Sequence, residues 1–140
     1  MSSGSVLPTR MVVPTHEEEF FWRSGADGRL RFLHCEACDR FHHPPAPRCP
    51  FCDGPVEPRP VGGRARLAAW TVNHQPWLPG FEPPYVVAMV EIDEDPTIRL
   101  TTNLVDVDPA SADEDLTVGQ PVEVVFEPSG DWFVPLFRPI

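Results

Sequence analysis

Cys35, Cys38, Cys49 and Cys52 form two C-x-x-C pairs ten residues apart, and the chain has no other cysteine. Two residues between ligands let a tight turn aim both sulfurs at one point. A second pair returning after a short connection completes the S₄ set that zinc and iron favour. The competing reading is two disulfides, for which four cysteines allow three connectivities and a C-x-x-C bridge is strained. His34, His42 and His43 crowd the same stretch. One of them replaces a thiolate, or all three are solvated or hydrogen-bond the sulfurs from outside. A closed S₄ site has no open coordination position, so the expected Zn²⁺ is structural, and metal-held thiolates are withdrawn from nucleophilic and redox chemistry.

The remaining composition narrows the chemistry further. All 11 basic residues are Arg and none is Lys, so a Schiff-base lysine cannot come from this chain. With 21 acidic residues the formal charge is −10, which opposes a polyanionic partner unless arginines cluster tightly. A chain of 140 residues has room for one modest core supplemented by a metal module. It contains no apolar stretch of about eighteen residues, and the opening MSSGSVLPTR lacks a signal-peptide core. The expected setting is therefore the reducing cytoplasm, without a membrane span. Nineteen prolines fragment the chain and disfavour long helices, so the composition reads as mainly β.

Residues 1–13 lack periodicity and are expected to form a flexible arm. Thr15 and Glu18 make a T-x-x-E capping box, Glu17 and Glu19 favour the positive end of a helix dipole, and Gly25 and Gly28 supply stops. These signals predict a helix over about 16–24. Its consecutive aromatics, Phe20, Phe21 and Trp22, spread over about 200° of helix surface. Either Phe21 and Trp22 pack on the metal module, or the helix docks a second protein. A strand from Leu30 to His34 leads into the first knuckle, and the Pro44-Pro45 pair forces a non-helical connection to the second. Pro55, Pro58 and Pro60 read as a stiff spacer before Gly62-Gly63. The division expected is an arm over 1–13, helix and rubredoxin-like zinc ribbon over 14–60, and a β-barrel over 61–140.

Five strands are predicted beyond Gly63, at about 64–74, 85–92, 97–105, 121–127 and 132–138, with no long helix among them. Asp93–Pro96 and Ser129–Asp131 read as turns, and the acidic DPASADEDLTVG segment as a longer connection. The alternation Val122, Val124, Phe126 marks a core face. Five short strands with one long connection suit an OB-fold; an SH3-like barrel or small sandwich stays open because strand count does not set topology.

Several residues invite a functional reading. The loop Gln75–Pro84 carries Trp77, Leu78 and Phe81 among prolines; it either lines an apolar channel or partner contact, or folds back as a lid. Arg64 and Arg66 alternate on the first barrel strand, where they meet a diphosphate or partner carboxylate, or stand solvated. His74 with Asp93, Glu94 and Asp95 offers acid–base chemistry only if separate turns converge. Trp70 and Trp132 read as core or rim aromatics.

The order of these pieces resembles the two-part zinc-ribbon and OB-fold family associated with acyl-CoA enzymes, long known only as a domain of unknown function. The carriers are FFW followed by Gly28-Arg29-Leu30, the cysteine run, P-x-x-x-C-P-x-C from Pro45 to Cys52, and G-x-A-R-L-x-x-W-T-V from Gly63 to Val72. PPYVVAMVEID (Pro83–Asp93), VGQPVEVVFE (Val118–Glu127) and PLFRP (Pro135–Pro139) complete it. The resemblance spans about 16–140. It implies a non-catalytic subunit of a hetero-oligomer with a thiolase-like aldolase or acyltransferase, or with an enoyl-CoA hydratase, acting on acyl-CoA thioesters in lipid or steroid side-chain breakdown. Phe20, Phe21 and Trp22 would then contact the enzyme, and Arg64, Arg66, Trp77 and Phe81 the acyl-CoA or the partner. Two other classes stay in play: a single-strand nucleic-acid binder, which the acidity opposes, and an independent enzyme using an Asp–His pair.

Overall fold

The computed structural model describes residues 10–77 and 80–140. A helical segment opens the fold: a 3₁₀ turn His16–Glu18, helix α1 (Glu19–Arg23) and a second 3₁₀ turn Ser24–Ala26. The capping signal performs as expected, with the Thr15 amide donating to Glu18 Oε1 at 3.0 Å. Gly28, at φ +76, ends the run, and its amide donates to the Gly25 carbonyl at 3.1 Å. Beyond it, Arg31 closes on the Asp27 carboxylate at 2.6 Å and holds its pKa at about 2 through that side-chain hydrogen bond.

A three-stranded antiparallel sheet follows, in the order β2 (Arg40–His42), β1 (Arg31–Cys35), β3 (Glu57–Pro60). The stretch read as a proline spacer is therefore a strand. Arg59 pairs with Phe32, and the Val61 amide donates to the Leu30 carbonyl at 2.9 Å. Amides at odd positions face β1, so Pro58 and Pro60 place their missing donors on the open side of an edge strand, where they cost nothing.

The barrel strands are β4 (Arg64–Asn73), β5 (Tyr85–Ile92), β6 (Asp95–Leu104), β7 (Pro121–Ser129) and β8 (Trp132–Pro139). They close in the order β4-β5-β6-β8-β7. The one parallel contact, Leu104 with Phe137, joins β6 to β8, and this pattern decides for the OB-fold over an SH3-like barrel or sandwich. A bulge between Leu67 and Ala69 switches the inward parity of β4. Ala65 and Leu67 fill the core before it, and Trp70 and Val72 pack against that core after it. Trp70 is thus a rim aromatic, its Nε1 donating to Asp113 Oδ1 at 3.0 Å. The acidic connection, read as irregular, holds a 3₁₀ turn Pro109–Ser111 and the one-turn helix α2 (Ala112–Asp115). Asp108 caps it by accepting from the Ala110 amide at 2.9 Å, and Ala112 and Leu116 enter the core.

Ribbon and barrel share one core: Phe21, Leu30 and Phe32 belong to the same buried cluster as Leu67, Val90, Ile92 and Phe137. Trp132 sits at the seam, under the Arg23 guanidinium at 5.0 Å from its ring centre. The helical segment ends hard against β7 and β8. A Cβ on Gly25 would lie 2.4 Å from Phe133 Cβ and 2.8 Å from Phe126 Cδ1. Gly25→Ala is therefore expected to destabilise the chain by about 1–3 kcal/mol through overpacking, read as a lowered denaturation midpoint with an unchanged far-ultraviolet spectrum. Within the stretch 1–13 expected as a flexible arm, Arg10 is tied to the barrel, while Met11 and Val13 stand exposed. Arg10 pairs with Glu127, donates from Nε to Asn103 Oδ1 at 2.8 Å, lies 5.3 Å from the Phe81 ring centre, and its carbonyl accepts from Ser129 Oγ.

Candidate metal centre and partner surfaces

The two knuckles are built alike. Cys35 ends β1, Cys49 follows the proline-rich connection, and the residue after each pair, Asp39 (φ 53) and Asp53 (φ 61), takes the left-handed conformation that reverses the chain. The Cys49 amide donates to the Gly54 carbonyl and the Asp53 amide to the Cys49 carbonyl, both at 2.9 Å. The Phe51 amide points at Cys49 Sγ from 3.4 Å.

These turns bring the four Sγ atoms within 4.8 Å of one another. Cys35 and Cys52 approach to 3.5 Å and Cys38 and Cys49 to 3.6 Å, and all four cysteines are free of disulfide bonds. Zinc–sulfur bonds of about 2.3 Å put tetrahedral sulfur–sulfur edges at about 3.8 Å, so the cage fits a Zn²⁺ ion. Packed together, the sulfurs resist joint ionisation: desolvation and the neighbouring thiols push Cys38 up to about 12. Against its own desolvation, the Phe51 and Cys52 amides draw Cys49 down to about 7. A dication at the centre would relieve that conflict by holding all four as thiolates.

The histidines stay outside the cage, since the ligand cluster found among the described residues comprises the cysteines alone. His34 is buried, its Nε2 lying 2.9 Å from Asp39 Oδ1 and 3.0 Å from Arg59 Nη1, so it braces the first knuckle against β3. His42 is buried with both ring nitrogens unpartnered, and burial lowers its pKa. His43 stacks between Phe21 and Phe32, with ring centres at 5.0 and 5.3 Å.

The aromatic helix divides. Phe21 is 4% exposed and consumed by the shared core, which corrects its reading as a partner anchor, whereas Phe20 and Trp22 remain half-buried at its edge. An exposed aromatic that sequence reasoning passed over is Phe51. It stands 57% exposed between the ligands of the second knuckle, under the Arg40 guanidinium at 4.5 Å. Its signal was present: a side chain between two metal ligands at a knuckle tip has no core to enter.

The residues expected to meet acyl-CoA do not converge. Arg64 and Arg66 are exposed at the start of β4, with Arg66 near Asp93 at 3.9 Å. Trp77, 72% exposed, and Phe81 lie beyond the other end of that strand. Seven residues of strand from Arg66 to Asn73 span about 23 Å, so the four cannot grip one diphosphate. Leu78 lies outside the described residues. The same separation parts His74, after Asn73, from Asp93, whose amide donates to the Arg64 carbonyl at 3.1 Å. Glu94 accepts from the Gly62 amide at 2.6 Å. No Asp–His pair forms from these residues.

Two family models divide the chain: the ChsH2 rubredoxin-like zinc ribbon domain matches residues 22–57, and the ChsH2 C-terminal OB-fold domain matches residues 58–127. The chain belongs to the ChsH2 family. A solved chain described as "Ltp2-ChsH2(DUF35) aldolase" superposes with a TM-score of 0.79 at 33% identity, over 92% of this chain and 98% of that one. A DUF35 protein of unknown function from Sulfolobus solfataricus shares the fold, with a TM-score of 0.61 at 12% identity, over 89% of this chain and 86% of that one. Among curated relatives, a probable enoyl-CoA hydratase alpha subunit of Thermomonospora curvata is 35% identical over 88% of this chain and 37% of its own length. The 3-oxo-4,17-pregnadiene-20-carboxyl-CoA hydratase alpha subunit of Mycobacterium tuberculosis is 29% identical over 94% of this chain and 41% of its own length. The chain thus spans about two fifths of the curated relatives it matches. No described helix is long and apolar enough to cross a membrane.

Proposed function

We propose that this chain is a non-catalytic subunit that binds and supports a thiolase-like aldolase or acyltransferase acting on CoA thioesters in the cytoplasm. The observation that carries the reading is its likeness, over 98% of that chain's length, to the ChsH2 chain of an aldolase assembly. The chemistry agrees: the sequence has no lysine, its sulfurs form one metal cage, and the candidate acid–base residues His74 and Asp93 lie at opposite ends of β4. Any enamine or enolate chemistry therefore falls to the partner. The name of the mycobacterial relative favours a steroid or similar lipid acyl group on the thioester.

Phe20, Trp22 and Phe51 are the anchors we assign to the partner. Phe51→Asp changes an exposed tip, so its folding stability should hold while affinity for the partner falls about tenfold or more, measured by titration calorimetry. The assignment as a whole is tested by expressing a thiolase-fold aldolase from the same cell with and without this chain. Co-elution, with cleavage activity dependent on the chain, is expected. A partner that is soluble, fully active and monodisperse alone would refute it.

A second reading, a module of an enoyl-CoA hydratase, is favoured by the two curated relatives. Co-purification with a hydratase subunit in place of the thiolase-fold protein would select it. A nucleic-acid role draws no support from the shallow site on β4–β6, whose lining holds no positive charge and whose one ring, Trp70, is already tied to Asp113.

A further inference from the structure

Between the helical segment and the outside of the barrel lies a cleft of about 530 Å³, apart from the metal cage and bordered by one of the partner anchors, Trp22. Its floor is the outward side of β5, β6 and β8, with Val87 and Thr101 in its lining. Trp22 and His43 form its roof, and Met11 and Val12 one wall. The volume is within the range of small-molecule sites, about 300–1,000 Å³.

The polar groups specify what such a ligand would be. Two arginines reach the cleft, and each is already matched by a carboxylate: Arg10 by Glu127 and Arg99 by Glu91 at 3.0 Å. No positive charge is left over for a phosphate or carboxylate on a ligand. Asn103 is also spent, accepting from Arg10 and donating to the Val86 carbonyl at 3.1 Å. His43 differs. Its Nδ1 is buried without a partner and its ring lines the cleft, so Nε2 is the nitrogen we assign to a ligand. Desolvation lowers its pKa, which favours the neutral imidazole, and with the Tyr85 and Thr101 hydroxyls that also line the cleft it offers uncharged hydrogen-bonding positions in mostly apolar surroundings.

We propose that this cleft binds a neutral, largely apolar molecule carrying one hydrogen-bonding oxygen, which meets His43 Nε2, with the segment Arg10–Val12 closing over it. The site is separate from Arg64, Arg66, Trp77 and the metal cage, and it requires no partner enzyme.

The test uses the zinc-loaded full chain and Nile red, an uncharged fused-ring dye with a carbonyl oxygen. The expected result is saturable binding of one dye per chain with blue-shifted emission. Val87→Trp puts an indole into the cleft from an outward strand position and should weaken binding at least tenfold with little change in melting temperature. Thr101→Trp, on the neighbouring strand, gives the same reading should Val87→Trp fail to fold. His43→Phe keeps the ring packing and should cost about 3- to 10-fold through the lost hydrogen bond. Free coenzyme A, polyanionic, should not displace the dye. Absence of saturation, native affinity in a folded Trp variant, or displacement by coenzyme A would each overturn the proposal. Partner activity enters none of these readouts, so the subunit assignment stands or falls separately.

Discussion

Cys35→Ser and Cys49→Ser are each expected to empty the metal cage and melt the ribbon. Removing one of four thiolates leaves three ligands where a closed tetrahedral site needs four. Apparent zinc binding in small modules is worth about 10–16 kcal/mol at neutral pH, and that energy is folding energy, because the two knuckles have little else to order them. The native chain should carry one zinc by elemental analysis, and either variant well under half. The melting point should fall by about 10–20 °C, as loss of about 5 kcal/mol from a domain of this size requires. Acidification acts through the same sulfurs: once protons outcompete zinc for the thiolates the metal leaves, so the ribbon is stable above that point and lost as pH falls. A folded, metal-free chain with native melting behaviour would contradict the structural role.

Phe32→Ala should cost about 3–5 kcal/mol and, more tellingly, should lower a single unfolding transition instead of creating two. Phe32 is 0% exposed. Its ring lies 5.8 Å from Phe21 and 5.3 Å from His43, and the cluster around it continues through Leu67 and Val90 into the barrel. Truncation opens a cavity in the seam, where the ribbon cannot collapse without dragging the helical segment off β8. Barrel and ribbon signals followed together, by tryptophan fluorescence and by amide exchange in β1, should shift in step. Two separated transitions would mean that 14–60 and 61–140 fold independently.

Much of this was legible in one dimension because the signals are local. The cysteine spacing needs only turn geometry to specify a shared metal. Proline and glycine marked the barrel strands within a residue or two, and Thr15 with Glu18 announced the helix start. The family resemblance rested on the same short runs in order. Local signals failed where a partner segment changes the meaning of a residue. Pro58 and Pro60 disfavour a strand in isolation, yet they sit in β3 because their imide nitrogens face away from β1. Asp108-Pro109 is a respectable helix start, but its single turn is worth forming only because Ala112 and Leu116 plug the barrel.

Chemistry that depends on residues within a few positions of one another was therefore determined by the chain alone: the four-sulfur cage, the lack of a reactive lysine, the all-β barrel. Tertiary structure decided what lies near what. It spent Phe21 on the core, left Phe51 at a knuckle tip, parted Arg66 from Trp77 by the length of β4, and tied Arg10 to β6 and β7 beside the cleft. The physical reason is that burial and pairing are properties of two segments at once, and their closure is set by the whole barrel, not by either segment.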